Sequence, residues 1–190
     1  MTSLLELPTV RERVHRMSVA EYHRAAEAGA ISENVELLRG FIFTKMAKSP
    51  LHEFIAHRLL KLLMLLVPRG FEVRHEAPLT LRDSEPEPDL SVVSGQEADW
   101  MEGHPSQAQL VVEVAVTSAT VDESKAEIYA EAGIPEYWLV RAQERTVDIY
   151  REPTPEGYRH KITVAAPDTL SCASLPGVSF PVADIFQSKT

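Results

Sequence analysis

The chain has 190 residues and a single cysteine, Cys172. No internal disulfide can form, and no thiolate-based zinc site fits. A reducing compartment is the natural setting. Positive charge is also scarce: 19 Lys and Arg stand against 28 Asp and Glu, for a formal net charge of −9. That balance argues against a protein that coats nucleic acid non-specifically, because such binding needs clustered basic side chains to neutralise phosphates. It leaves room for a local basic groove, and for an acidic site whose bound cation supplies the missing charge. Long apolar runs are missing too. The opening MTSLLELPTVRERVHR has no extended apolar segment of the secretory-signal kind. The most apolar run, LLKLLMLLV, is too short to span a bilayer and contains Lys61. A soluble, cytoplasmic protein is expected. No internal repeat or low-complexity segment occurs.

What remains is enough for a core. Hydrophobic residues make up 44% of the chain, and its length suits one domain. The expected organisation is a mixed-charge N-terminal arm over 1–16 and a single domain over 17–190. MSVAEYHRAAEAGA predicts a helix, with Ser18 as N-cap, Glu21 completing a capping box and Gly29 as the stop. VELLRGFIFTKMA reads as a hairpin turning at Arg39-Gly40. SPLHEFIAHRLLKLLMLLVPRG is the clearest helix: Ile55, Leu59, Leu62, Leu63 and Leu66 recur at helical spacing, and Pro68 and Gly70 end it.

FEVRHEAPLTL predicts one or two short strands and PEPDLSVV another, with GQEADWMEGHPSQ as a polar loop. QLVVEVAV is apolar enough for a central strand covered on both faces. TSATVDESKAEIYAEAG gives a turn and a helix with an Ile128, Tyr129, Ala132 stripe and Gly133 at its end. PEYWLVR, RTVDIYRE and YRHKITV are three further strands, and LPGVSFPVADIF is a closing tail with apolar anchors. The order predicts an α/β or α+β fold, a mixed sheet flanked by helices, with an N-terminal helix and hairpin.

Three residues carry possible chemistry. Glu113 lies among valines in LVVEVAV, where an ionised carboxylate is costly unless paired or bound to metal. An exposed or salt-bridged strand-end glutamate is the alternative. Asp89 opens a strand after Pro88, which is also ordinary turn chemistry. Lys125 lies early in a helix, where most lysines are simply solvated. Together they say more. Two carboxylates on neighbouring strands can share Mg²⁺ or Mn²⁺. A nearby lysine can then hold a phosphate or stabilise developing negative charge. Tyr129 and Trp138 read as core, with their polar ends satisfied locally.

The stretches PEPDLSVV and LVVEVAVTSATVDESKAEIYAEAGIPEYWLV resemble the Uma2 (DUF820) family of restriction-endonuclease-like proteins, part of the PD-(D/E)XK nuclease superfamily. The likeness runs through the N-terminal helix, the hairpin, the SPLH helix start and the closing tail. It implies a restriction-endonuclease-like fold and a metal-dependent endonuclease acting on phosphodiester bonds, with DNA as the nucleic-acid substrate. It also implies Asp89 and Glu113 as metal ligands and Lys125 as the third catalytic residue. The usual lysine position, two residues past the glutamate, holds Ala115, so the lysine role moves to the next helix. Glu36 matches the hairpin's acidic residue and His52 the histidine of the SPxH start, as supporting residues; a helix-start histidine can equally be a capping or exposed group. Arg39 and Arg141 replace acidic residues of the family pattern, and VAVTSAT lacks its proline. A non-catalytic binding or scaffold protein on the same fold is the other reading, favoured by the acidic charge. The strands after residue 136 and the closing tail offer apolar surface for a homodimer.

Overall fold

The computed structural model describes residues 13–117 and 120–187. Most of the expected arm, and two residues of the VAVTSAT turn, therefore lie outside the described residues. Helix α1 (Val19–Glu27) starts at the expected capping box: the Ser18 hydroxyl accepts from the Glu21 N–H, and the Glu21 carboxylate accepts from the Ser18 N–H at 2.8 Å. Strands β1 (Val35–Leu38) and β2 (Phe41–Thr44) form the hairpin. Both turn residues are left-handed, Arg39 at φ 50° and Gly40 at φ 80°. This is the mirror-image turn that matches strand twist. Gly40 is needed twice over, because a Cβ there would lie 2.6 Å from Arg16 Cβ.

Helix α2 (Pro50–Leu66) is capped by Ser49, whose hydroxyl accepts from the His52 N–H, and Pro50 sits where its missing N–H costs nothing. It buries Ile55, Leu59 and Leu63. Then follow β3 (Phe71–His75), β4 (Leu90–Ser94), β5 (Leu110–Ala115), α3 (Thr120–Glu131), β6 (Glu136–Arg141), β7 (Thr146–Thr154) and β8 (Gly157–Ala165). The six strands form one sheet in spatial order β3-β4-β5-β6-β7-β8, parallel between β5 and β6 and antiparallel elsewhere. A parallel pair needs a crossover, and α3 supplies it. Strands β9 (Thr169–Ser171) and β10 (Ser179–Pro181) pair with each other, and α4 (Ala183–Phe186) closes the described chain. The mixed sheet flanked by helices is the expected architecture. FEVRHEAPLTL yields β3 alone, and GQEADWMEGHPSQ contains a 3₁₀ turn over Glu97–Trp100.

The sheet divides two cores. Val92, Val112, Val114, Trp138 and Val140 pack under α2 and the closing tail. Val93, Val111, Ala115, Tyr137 and Leu139 pack under α3. Side chains alternate along β5, so Glu113 falls with Val111 and Ala115 on the α3 side. The tail anchors Phe180, Val182 and Ile185 and the β6 residues Trp138 and Leu139 are buried in the chain's own core. These anchors therefore pack within the chain itself. Among the described residues, no helix is long and apolar enough to cross a membrane.

Candidate active site

The β4–β5 register pairs Leu90 with Val112. One residue further, Asp89 stands opposite Glu113, at the end of β4 where β5 continues beyond it. The Asp89 N–H lies 3.4 Å from Glu113 Oε2. Asp89 Oδ2 accepts from the Val114 N–H at 2.8 Å and lies 3.0 Å from His52 Nε2. Its Oδ1 is 3.3 Å from Lys48 Nζ. Glu113 Oε1 accepts from Lys125 Nζ at 3.0 Å and from the Tyr129 hydroxyl at 2.9 Å. Lys125 Nζ is also 3.0 Å from Glu36 Oε1 and 3.9 Å from Asp122 Oδ1.

Each element delivers its residue for a local reason. Asp122, Lys125 and Tyr129 are three and four residues apart on α3, so they share the helix face turned to the sheet. Glu36 comes from the hairpin, which docks on the chain just before Asp89. The Glu85 N–H donates to the Leu37 carbonyl at 2.7 Å, and the Glu87 N–H to Glu36 Oε2 at 3.3 Å. His52 arrives because the Ser49 cap fixes the first turn of α2. All five expected residues, Asp89, Glu113, Lys125, Glu36 and His52, line one cavity of about 270 Å³.

Its electrostatics are unbalanced. Glu36, Asp89, Glu113 and Asp122 face two ammonium groups, Lys48 and Lys125. Burial pushes the Glu113 carboxyl up to about 8; Lys125 opposes this, while Asp89, Asp122 and Glu36 add to it. Burial likewise raises Asp122 to about 6, again opposed by Lys125. Burial alone would lower Lys125, but Glu113, Glu36 and Asp122 outweigh it and keep the ammonium protonated. Burial would raise Asp89, yet the His52 contact, Lys48 and the Val114 N–H hold it below the ordinary carboxylate range. Acids outnumber ammonium groups around Lys125, so at neutral pH a proton stays among them, chiefly on Glu113. The Tyr129 hydroxyl is pushed far up by burial and by Glu113, so it serves only as a donor.

This donor set fits a divalent cation. It is all oxygen, its carboxyl groups outnumber the ammonium groups, and Asp89 and Glu113 oppose each other across adjacent strands. Among the described residues, no group of three or more His, Cys, Asp or Glu side chains is placed to hold a metal. A cation here would therefore take Asp89 and Glu113 and complete its shell with backbone oxygen and water, as Mg²⁺ commonly does.

A family model described as "Putative restriction endonuclease", Uma2, matches residues 19–183. The chain belongs to the Uma2 family. The crystal structure of a putative nuclease belonging to DUF820, from Anabaena variabilis ATCC 29413, is similar in fold: TM-score 0.71 and 21% identity, covering 85% of this chain and 96% of that one. Curated proteins give no match. The Uma2 match and the shared fold mark the chain as nuclease-like.

Against the Uma2 pattern, the two arginine replacements lie outside the cavity. Arg39 pairs with Glu131 at 2.7 Å and with Glu127, and Arg141 with Asp148 at 2.8 Å and with Glu123. Trp138 is core as expected, its Nε1 donating to Glu136 Oε1. Tyr129 differs. It is fully buried, but its hydroxyl goes to Glu113 inside the site. Sequence reasoning also missed Asp122 and Lys48. Asp122 and Tyr129 were findable, three residues before and four after Lys125. Lys48 had no such signal, since only the fold brings it to Asp89.

Proposed function

We propose that this Uma2 protein is a metal-dependent endonuclease that hydrolyses phosphodiester bonds in DNA. The observation that carries the reading is the meeting of Asp89, Glu113 and Lys125, from two strands and a helix, in one cavity. Asp89 and Glu113 are the residues that would hold Mg²⁺ or Mn²⁺, which when bound polarises a phosphoryl oxygen and acidifies its water.

The protein's own groups prepare for this. Val114 N–H, His52 and Lys48 keep Asp89 ionised and fixed. Tyr129 and Lys125 fix Glu113, whose retained proton must leave when a cation binds. Lys125 carries the positive charge closest to Glu113 and is placed to offset charge that develops on a phosphate.

The test is nicking of supercoiled plasmid and of single-stranded DNA in Mn²⁺ and Mg²⁺, with Asp89→Asn and Lys125→Ala beside the wild type. Cleavage by the wild type and its loss in both folded variants are expected. Equal cleavage by all three proteins, or no metal binding at millimolar concentration, overturns the reading. The second outcome favours a scaffold, which the acidic charge would suit.

A further inference from the structure

The cavity mouth carries more apolar surface than a phosphate track needs. In the hairpin register Glu36 pairs with Phe43, and cross-strand partners share a face. Phe43 therefore points to the same side as Glu36, whose carboxylate reaches Lys125. Yet Phe43 is 40% exposed, and Met46 beyond it is 73% exposed. Val121, in the first turn of α3 and also 40% exposed, lines the same cavity. An aromatic ring and a thioether on the hairpin side and an aliphatic group on α3 thus frame the mouth.

Charge at the mouth does not favour a double helix. Five carboxylates and three lysines line the cavity. Lys45 is held by both oxygens of Glu87 at 3.0 Å, and Lys48 by Glu76 at 2.9 Å. Neither is free to neutralise a row of phosphates, which duplex binding requires. A base lifted out of a stack offers what this rim can use, a flat π-face that packs on an aromatic side chain whatever the sequence.

We infer that Phe43, with Met46 and Val121, forms a slot for an unpaired base next to the scissile phosphate, and that the protein selects single-stranded over duplex DNA. The inference rests on the nuclease reading for the place of the phosphate. Phe43 makes the stacking contact, Met46 adapts to bases of different size, and the metal-binding carboxylates lie deeper in the same cavity.

The experiment measures anisotropy of a labelled oligothymidylate and of a duplex of equal length, in Ca²⁺ and in Mg²⁺, across a salt series. Single strand is expected to bind at least tenfold tighter than duplex, with a shallow salt dependence. Phe43→Ala should lose about tenfold in single-strand affinity, and Phe43→Trp should restore it. Circular dichroism confirms that both variants fold, which the exposure of Phe43 favours. Equal or tighter duplex binding, an unchanged Phe43→Ala, or binding of neither probe overturns the slot. Plasmid nicking separates the two ideas. Duplex cleavage that ignores Phe43→Ala refutes the slot and leaves the nuclease. Phe43-dependent strand binding without any cleavage refutes the nuclease and leaves the slot.

Discussion

Replacing Lys125 with Met tests whether the buried ammonium balances the acids around it. Lys125 is 5% exposed, and its Nζ lies 3.0 Å from both Glu36 and Glu113. Methionine nearly fills the space but removes the charge and the hydrogen bonds that Nζ donates. Breaking a buried pair from one side costs about 3–5 kcal/mol, because the partner is left uncompensated. For a domain of this size that is a fall of roughly 6–20 °C in Tm. The cost depends on pH. Burial already pushes the Glu113 carboxyl up to about 8 with Lys125 present, and without that ammonium it keeps its proton to still higher pH. At pH 6 the acid escapes the penalty by staying neutral; at pH 8.5 it cannot do so freely. Urea unfolding of both proteins at the two pH values should show a destabilisation that grows with pH. A Lys125→Met protein within 1 kcal/mol of wild type at pH 8.5 would refute the buried cluster.

Three other outcomes follow from the same geometry. Glu113 and Asp122 have folded-state values above their unfolded ones, so the folded chain holds protons that the unfolded chain has released. The metal-free protein should therefore lose stability as pH rises from about 4 to about 8, by an amount on the order of a few kcal/mol, and Mg²⁺ should flatten that slope in a thermal-shift series. Glu113→Gln should abolish metal-dependent cleavage and weaken metal-induced stabilisation, while making the metal-free protein more stable at pH 8, because no charge then has to be buried; calorimetry with and without Mn²⁺ checks both halves. Gly40→Ala forces a left-handed φ and a 2.6 Å contact on a side chain, and should cost about 1–3 kcal/mol by chemical denaturation.

Most of the fold was legible because its signals are local. The Ser18 cap, the Arg39-Gly40 turn and the valine run of β5 each depend on residues close in sequence. The outer part of the site was less legible. Glu113 announced itself by its cost among valines, and Lys125 by family likeness. Lys48 reaches Asp89 only because the start of α2 lies over the end of β4, a contact spanning about forty residues that periodicity cannot register. Tyr129 was legible only in part. Its burial was read correctly, but burial does not say which acceptor its hydroxyl will meet.

The β1–β2 ribbon stands apart from the six-stranded sheet and is bolted to the stretch leading into Asp89. Gly40 N–H bonds Asp83, Arg39 N–H bonds Ser84, and Leu37 exchanges two bonds with Glu85. The run that delivers Asp89 is gripped from one side by this ribbon and from the other by the sheet. A truncated chain beginning at Ser49 would retain Asp89, Glu113 and Lys125, and still lose the clamp that aims the first of them.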